Sequence, residues 1–204
     1  MTVIAVVALK GGVGKTTTAV YLSMVLGARG RRVVLADADH QASALRWVDE
    51  AGGLGKGLLT VGATTPEALR GLREIAAGAD VVIDTPPGDL RLIRAGLAQA
   101  DLVLIPVRPT MLDLDRISET LNEVHNAGVP GVILLSQARN RTRSLAGARS
   151  ALDQLGLPLL DTVIPAREAI AASFGDRPDP GGLDIYREAL EEIEAALTST
   201  METS

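Results

Sequence analysis

The sequence contains no cysteine, which excludes disulfide bonds, thiolate-bound metals and iron–sulfur clusters. A chain without disulfide bonds suits a reducing compartment, and we expect it to be cytoplasmic. Its apolar runs fall well short of the roughly 20 residues that a membrane-spanning helix needs, so we expect no membrane among its partners. Aromatic side chains are scarce, which argues against base stacking on an aromatic platform; they are Tyr21, Trp47, Phe174 and Tyr186.

The charge balance is mildly acidic, with a formal net charge of -5 over 204 residues. This balance argues against a protein coated in basic surface, although it leaves room for a local basic patch. The length suits one domain with a substantial core. We therefore expect residues 1–204 to form a single domain.

Short apolar runs rich in β-branched residues alternate with longer helical patterns along the whole chain. Such alternation is typical of a parallel sheet covered by helices. We predict an α/β fold with a mostly parallel, twisted sheet of about seven strands and helices on both faces. The predicted strands are residues 2–8, 32–37, 58–61, 80–84, 101–105, 132–135 and 159–164, of which 58–61 is the weakest.

Local signals mark where helices begin and end. Thr65 followed by Pro66 predicts a capped helix start with the proline in the first helical position. Glycines stand where three helices should stop, at positions 30, 78 and 128.

The later part of the chain contains loop signals and one acidic helical pattern. Residues 52–57 and 175–182, rich in glycine or proline, are predicted loops. The last helix is predicted from Asp184 to about Leu197. A frayed tail is expected over residues 198–204.

A glycine-rich loop over residues 10–17, with the sequence KGGVGKTT, lies between the first predicted strand and a helical pattern. Glycines allow backbone N–H groups to converge on phosphate oxygens, and the helix start adds its positive end. In the general pattern G-x-x-x-x-G-K-[ST], the lysine reaches the outer phosphates and the hydroxyl binds Mg²⁺, which assigns these roles to Lys15 and Thr16. The pattern is incomplete, because Leu9 replaces its first glycine and Lys10 follows as an extra lysine. The loop predicts a phosphate-binding site.

Carboxylates follow two of the predicted strands, at the end of the sheet where open α/β folds bind their ligands. Asp84 precedes the sequence TPPG and suits a magnesium ligand acting through water; the alternative is that it only caps the turn. Asp37 and Asp39 alternate along an extended segment, so only one of them faces a given side. Asp37 is a candidate for binding metal-bound water, and Asp39 for orienting a water beyond the γ-phosphate. His40 and His125 lack companions at metal-binding spacing and are interpreted as structural or solvated.

These motifs occur in an order that resembles the ParA/MinD superfamily of deviant Walker A (P-loop) ATPases. The resemblance covers nearly the whole chain. It rests on KGGVGKTT at residues 10–17, D-x-D-x-Q at 37–41, DTPPG at 84–88, IPVRP at 105–109, LD at 112–113, and IPAR at 164–167 with a later Gly175.

Some residues of the chain resemble one group within the superfamily, and others depart from the common family pattern at two points. Ser43, Trp47 and the chain length resemble the small ParA-type proteins (ParF-like), which lack an N-terminal helix-turn-helix domain. His40 replaces the proline that is common after the second-motif aspartate. Ser136 and Gln137 stand where many relatives have Asn-Arg near the adenine.

The resemblance implies a fold of the P-loop NTPase type and a weak ATPase with ATP or ADP and Mg²⁺ as cofactors. It also implies that Lys10 reaches the nucleotide of the other subunit in an ATP-dependent homodimer. Positive charge supplied in this way makes hydrolysis depend on dimer formation. The implied nucleotide-binding residues are Lys10, Gly11, Gly12, Val13, Gly14, Lys15, Thr16 and Thr17; the catalytic residues are Lys10, Lys15 and Asp39; the metal-binding residues are Thr16, Asp37 and Asp84.

The resemblance further implies that the ATP dimer binds nucleoid DNA without sequence preference. A small ParB-like or other adaptor would stimulate hydrolysis and release, and the cycle would segregate or position a plasmid or other cargo. Arginines late in the sequence are candidates for contact with DNA phosphates, and ordinary solvated side chains are the alternative interpretation. They are Arg139, Arg141, Arg143, Arg149 and Arg167.

Two other functions are compatible with the same fold. A MinD-like ATPase that cycles on a membrane needs a cationic amphipathic terminal helix. The predicted last helix is instead acidic, with Arg187 as its cation. An ATP-dependent metabolic synthase of the same superfold has no need of the dimer-specific Lys10, although fold alone does not exclude it.

Overall fold

The computed structural model describes residues 1–202, and the side chains of residues 1–198. The described strands form one seven-stranded sheet in the order β3-β2-β4-β1-β5-β6-β7, and every adjacent pair is parallel. The predicted α/β fold and its strand number are confirmed, including the weak third strand. The strands are β1 (Val3–Val6), β2 (Val33–Asp37), β3 (Leu58–Gly62), β4 (Asp80–Asp84), β5 (Leu102–Val107), β6 (Gly131–Ala138) and β7 (Leu159–Pro165).

Helices connect the strands and cover both faces of the sheet. Alternation along the buried strands divides the apolar side chains into two cores, one on each face. Helices α3, α4, α5, α7 and α8 contribute to one core, and α1, α2, α9 and α10 to the other. The helices are α1 (Lys15–Ala28), α2 (Ser43–Glu50), α3 (Pro66–Arg70), α4 (Leu72–Ala76), α5 (Leu90–Leu97), α6 (Met111–Asp115), α7 (Ile117–Ala127), α8 (Arg143–Gln154), α9 (Glu168–Ala172) and α10 (Pro180–Glu202).

The sheet order brings the predicted site residues together at the carboxyl ends of the central strands. Strand β4 lies between β1 and β2, and its last residue, Asp84, is in register with Val6 on one side and Asp37 on the other. The chain leaves β1 into the glycine-rich loop, so the loop and both carboxylates share one edge of the sheet. Parallel sheets of this type bind ligands at that edge.

The predicted helix signals are largely confirmed. Thr65 caps α3, since its side chain accepts a hydrogen bond from the Ala68 N–H, and Pro66 is the first helical residue. Gly30, Gly78 and Gly128 have φ angles of 77°, 85° and 67°, the left-handed conformation that ends helices.

The predicted bounds of the last helix are wrong at both ends. Helix α10 begins at Pro180 rather than Asp184, because Asp179 caps it: the Asp179 Oδ2 atom accepts a hydrogen bond of 2.7 Å from the Gly182 N–H. The helix also continues past Leu197 to Glu202. Of the predicted tail, residues 203 and 204 lie outside the described residues. Within residues 1–202, no helix is both long enough and apolar enough to cross a membrane.

Gly182 on α10 packs directly against Tyr21 of α1, and a side chain at this position should destabilise the fold. A Cβ atom at Gly182 would lie 2.6 Å from Cε1 of the buried Tyr21 and 3.1 Å from Cγ1 of Ile170. We expect Gly182→Ala to cost about 1–3 kcal/mol of unfolding free energy in a urea titration, since overpacking forces neighbours to move. Gly27→Ala in α1 is the matched control. A Cβ atom there meets nothing within 4 Å, so this variant should be neutral or gain up to about 1 kcal/mol. Equal stability of the two variants would contradict the packing argument.

Candidate nucleotide-binding site

The loop between β1 and α1 has the backbone form of an anion-binding site. Gly12 and Gly14 have φ angles of 74° and 89°, which favour glycine. Gly14 is the N-cap of the 14-residue helix α1, and no side chain caps this helix. The N–H groups of its first turn are thus available to an anion, and the helix dipole adds positive potential there.

Lys15, the lysine of the general pattern, is the first residue of α1, and its side chain folds back into the glycine-rich loop. Its Nζ atom donates a 3.0 Å hydrogen bond to the Lys10 carbonyl oxygen, and the residue is only 7% exposed. Burial lowers the pKa of Lys15, and the charges of Asp84 and Asp39 counteract that shift. A buried ammonium close to exposed loop amides is suited to binding phosphate oxygens.

Two side chains at the end of β6 hold the loop in place. The Ser136 hydroxyl donates to the Val13 carbonyl at 2.8 Å, and the Gln137 Nε2 atom donates to the Gly12 carbonyl at 3.0 Å. Gln137 has a φ angle of 50°, a left-handed conformation that is rare for residues other than glycine. The sequence indicates a position near the adenine for this pair, whereas its support of the phosphate loop is visible only in the structure.

Two cavities meet at the loop. One, of about 290 Å³, is lined by loop residues together with Asp39 and Pro87. The other, of about 380 Å³, extends between β6, β7 and α9, and Ile164 and Tyr186 are among its lining residues. Gly14, Thr17 and Gln137 line both cavities. The geometry therefore suits a nucleotide whose phosphates lie in the first cavity and whose base lies in the second.

Asp37 is completely buried and is bonded to the backbone. Its Oδ1 atom accepts a hydrogen bond of 3.0 Å from the Asp39 N–H, and Oδ2 accepts from the N–H groups of Ala44 and Leu45 at 2.9 and 3.0 Å. Burial raises the pKa of Asp37, and these three bonds oppose the rise. Asp37 thus fixes the segment that carries Asp39 and the start of α2, a role that is visible in the structure and not in the sequence. Its predicted contact with metal-bound water stays a prediction.

Asp84 is the carboxylate whose surroundings fit a bound cation. Both of its oxygens are buried, and neither accepts a hydrogen bond. Burial raises the pKa of Asp84 to about 7; the nearby Thr16 hydroxyl and Lys15 oppose the rise, whereas Asp37 and Asp39 add to it. Buried polar groups without partners are rare unless a ligand or ion satisfies them.

The donor set suits Mg²⁺ rather than a metal held by protein ligands alone. Among the described residues, no three His, Asp or Glu side chains are grouped as metal ligands. Mg²⁺ commonly takes only one or two carboxylates and otherwise binds water and substrate phosphates. Asp84 and Thr16 would hold it here, and the ion would neutralise negative charge on the phosphates.

The two histidines are exposed, in agreement with their interpretation as solvated.

Asp84→Asn should stabilise the nucleotide-free protein at high pH. The pKa of Asp84 is raised to about 7 in the folded state. Below about pH 4 the carboxyl is protonated in both states, so its burial does not reduce the free energy of unfolding. As the pH rises toward 7 the carboxyl ionises first in the unfolded state, and the loss of unfolding free energy grows. We expect the variant to gain about 1–3 kcal/mol of unfolding free energy at pH 8, and the gain to shrink as the pH is lowered toward 4. Urea titrations of both proteins across this range test the prediction; a gain that does not depend on pH would contradict it.

Asp39 faces the phosphate cavity from a position that the backbone fixes. It is half-buried and lines the same cavity as Lys15 and Thr16. Its N–H is bonded to Asp37, and its Oδ1 atom accepts a 2.9 Å hydrogen bond from the Gln41 N–H. Within the described residues, its other oxygen accepts no hydrogen bond. Asp39 thus has a free acceptor beside the phosphate position.

Lys10 differs from Lys15 in that its ammonium group does not face its own loop. It forms an ion pair with Asp113 on α6, which also accepts hydrogen bonds from Arg108 and Thr110. In the sequence, Asp113 is part of the LD motif at residues 112–113, which by itself indicates no function for the carboxylate.

The five candidate DNA-binding arginines are not equivalent. Arg139, Arg141 and Arg143 are exposed, and none of these three forms an ion pair within the part of the chain that the structure describes. Arg149 instead contacts Asp161 on β7: its guanidinium group donates to the Asp161 backbone oxygen and pairs with the Asp161 carboxylate. Arg167 is exposed but lines the larger nucleotide cavity. Three of the five candidates, which are close together in sequence, therefore remain exposed and without an ion pair within the described residues.

The model of the CobQ/CobB/MinD/ParA nucleotide binding domain family matches residues 4–178. This chain belongs to that family. ParA/MinD-family proteins with related sequences include the maintenance of carboxysome distribution protein A of Gloeobacter kilaueensis, which is 39% identical over 82% of this chain and 78% of its own. The chromosome-partitioning ATPase Soj of Thermus thermophilus is 32% identical over 91% and 92% of the two chains. A variant of Cyanothece McdA, solved in complex with ATP, has the same fold with a TM-score of 0.76 at 18% identity, over 97% of this chain and 96% of its own.

Membership of the ParA/MinD family confirms several predictions at once. The chain is a ParA/MinD-type ATPase with a P-loop NTPase fold. Solved structures of the same fold contain ATP, or an ATP analogue together with magnesium, in agreement with the predicted cofactors. The roles of the individual site residues stay predictions that the geometry makes specific.

Proposed function

We propose that this ATPase forms a nucleotide-sandwich homodimer when it binds ATP, and that the dimer binds DNA without sequence preference. Hydrolysis, stimulated by an adaptor protein, then dissociates the dimer and releases it from DNA. The cycle positions or segregates a cargo attached to the adaptor. In this proposal the ATP state is associated with the nucleoid.

The position of Lys10 is the observation that carries the proposal. Within its own subunit, Lys15 binds inside the phosphate loop, whereas the Lys10 ammonium group is paired with Asp113. Lys10 begins the phosphate loop, yet its ammonium group has no role within that loop. Such a lysine is suited to act on the nucleotide of a second copy. Charge placed against the phosphates in this way favours hydrolysis.

The relatives support a positioning function and differ in cargo. The names of the two related sequences refer to carboxysome distribution and to chromosome partitioning. The family description includes CobQ and CobB as well as MinD and ParA, so the dimer-specific Lys10 is what favours the ParA type over a metabolic synthase. The neighbouring gene is the first place to seek the adaptor, and a small basic DNA-binding protein there would indicate plasmid segregation.

Helix α10 gives no support to a membrane-cycling function. Its apolar side chains Leu190 and Ile193 are completely buried against the sheet and α1. Arg29, the C-cap residue of α1, pairs with Glu191 and Glu194 on α10 and fixes the helix further. A membrane-binding helix needs a free apolar face and cationic flanks.

Salt-dependent DNA binding tests the proposal. Three arginines in each subunit give six in a dimer, and the slope of log K against log salt for random duplex DNA should then be about −5 with ATP and Mg²⁺. The triple variant of Arg139, Arg141 and Arg143 to Gln should lose most of this slope. A control triple variant of Arg70, Arg91 and Arg187 to Gln removes three exposed charges elsewhere and should retain it. Binding that is equal without nucleotide, or independent of salt, would refute the proposal.

A further inference from the structure

The Lys10 ammonium group is held inside its own subunit by a buried carboxylate. Lys10 Nζ is paired with Asp113 Oδ1, and the two side chains are 24% and 1% exposed. Asp113 lies on the short helix α6, soon after β5 and more than a hundred residues from Lys10 in sequence. The pair therefore connects the first residue of the phosphate loop to a separate segment of the site edge.

Two further residues bind the same carboxylate, and together with Lys10 and Asp113 they form the Asp113 cluster. The Arg108 Nε atom and the Thr110 hydroxyl both donate to Asp113 Oδ2 at 2.8 Å. A second Arg108 nitrogen lies 3.4 Å from Oδ1. The cluster thus contains two cations for one carboxylate.

This surplus of positive charge limits the cost of releasing Lys10 without removing it. Breaking a buried ion pair is usually costly because it leaves an unpaired buried charge. If Lys10 leaves the Asp113 cluster, Asp113 still has Arg108 and Thr110, and the Lys10 ammonium moves toward solvent or a new anion. The cluster is stable with Lys10 and remains satisfied without it.

The backbone around Lys10 stays anchored whichever partner the side chain has. The Lys10 carbonyl accepts from Lys15 Nζ at 3.0 Å, and the Leu9 N–H donates to the Thr120 hydroxyl at 3.3 Å. A change of partner therefore requires rotation of the Lys10 side chain and no rebuilding of the phosphate loop.

We propose that Asp113 is a positioning residue that retains Lys10 in the monomer, and that transfer of Lys10 from Asp113 to the partner's nucleotide is a step of dimer formation. The inference rests on the proposed function, since the second copy supplies the competing anion. The free energy that favours the Lys10–Asp113 pair in the monomer makes the free energy of dimer formation less favourable by the same amount. Asp113 thereby limits dimer formation in the absence of correctly bound nucleotide.

Removing the charge of Asp113 should strengthen the dimer. With a non-hydrolysable ATP analogue and Mg²⁺, we expect Asp113→Asn to lower the dimer dissociation constant about tenfold in sedimentation velocity. Asp115→Asn, on the same helix and exposed, is the matched control and should not change it. In a Lys10→Gln background, Asp113→Asn should have no effect on the dimer. An unchanged or higher dissociation constant for Asp113→Asn, or an equal decrease without Lys10, would overturn the proposal.

The response of Lys10 to the ATP analogue is measured on the wild-type protein, so this part of the test does not depend on how well a variant folds. The sequence has three lysines, Lys10, Lys15 and Lys56, so NMR of lysine labelled at Cε and Nζ gives few signals to assign. The Lys10 signal should move when the ATP analogue forms the dimer, and Asp113→Asn should move it in the nucleotide-free protein. A Lys10 signal that neither change affects would overturn the retention by Asp113. A wild type that stays monomeric with the analogue would overturn the dimer itself, and the transfer step with it.

Discussion

Lys10→Ala should reduce adaptor-stimulated ATP hydrolysis by about 10³-fold, while nucleotide affinity stays within a few fold of wild type. Stimulated hydrolysis depends on positive charge that stabilises the transition state, and the proposed source of this charge is Lys10 of the second subunit. Nucleotide binding depends instead on the loop amides, Lys15 and Thr16, which the substitution leaves in place. Steady-state turnover with the adaptor and titration of a fluorescent ATP analogue measure the two quantities separately.

The structure indicates that Lys10→Ala will fold normally. Asp113 loses one partner but keeps Arg108 and Thr110, so no buried charge is left unpaired. Lys56→Ala removes an exposed lysine from the loop before β3 and is the matched control. If Lys10→Ala has an adaptor-stimulated turnover close to that of the wild type, Lys10 of the second subunit does not contribute to hydrolysis.

The parts of the site that the sequence predicted are those whose chemistry is local. The glycines and Lys15 are adjacent in sequence, and their left-handed angles and helix start follow from residue type. Asp37 and Asp84 were predictable as site residues because each ends a strand of a parallel sheet, and strand ends converge at one edge.

The Asp113 cluster and the support from β6 could not be predicted in this way. The contact of Gln137 with Gly12 joins residues 125 positions apart, and that of Lys10 with Asp113 joins residues 103 positions apart. Neither contact leaves a local pattern, because only the strand order places β5 and β6 beside the loop. A single sequence gives no measure of which distant side chains meet.

The arginines and the start of α10 show two further limits of prediction from the sequence. Five arginines looked alike in sequence, yet Arg149 contacts β7 and Arg167 lines a cavity. The start of α10 was predictable from Asp179 followed by Pro180, a cap and a first-turn proline. Two glycines after Pro180 favoured a loop instead. The sequence does not show that Gly182 packs against Tyr21 of α1.

Asp39→Ala should slow hydrolysis by about 10²–10³-fold and leave ATP binding intact, so that the ATP dimer persists. The substitution removes the carboxylate that faces the phosphate cavity and the bond from Gln41. It leaves the bond from the Asp39 N–H to Asp37, and the segment should keep its position. Sedimentation at intervals after a single addition of ATP should show a dimer that outlasts the wild-type dimer.

Comparison with Asp39→Asn separates the chemical role of Asp39 from its structural one. Asparagine retains an acceptor for the Gln41 N–H but has no negative charge to orient or deprotonate a water, so it should behave like Asp39→Ala if the chemistry matters. Asp49→Ala, an exposed aspartate on α2, should behave like wild type. Rapid dissociation of the Asp39→Ala dimer in ATP, or recovery of turnover by Asp39→Asn, would mean that Asp39 shapes the loop and that another group positions the water. Because Asp37 already fixes this loop through three backbone bonds, the structure favours the chemical role.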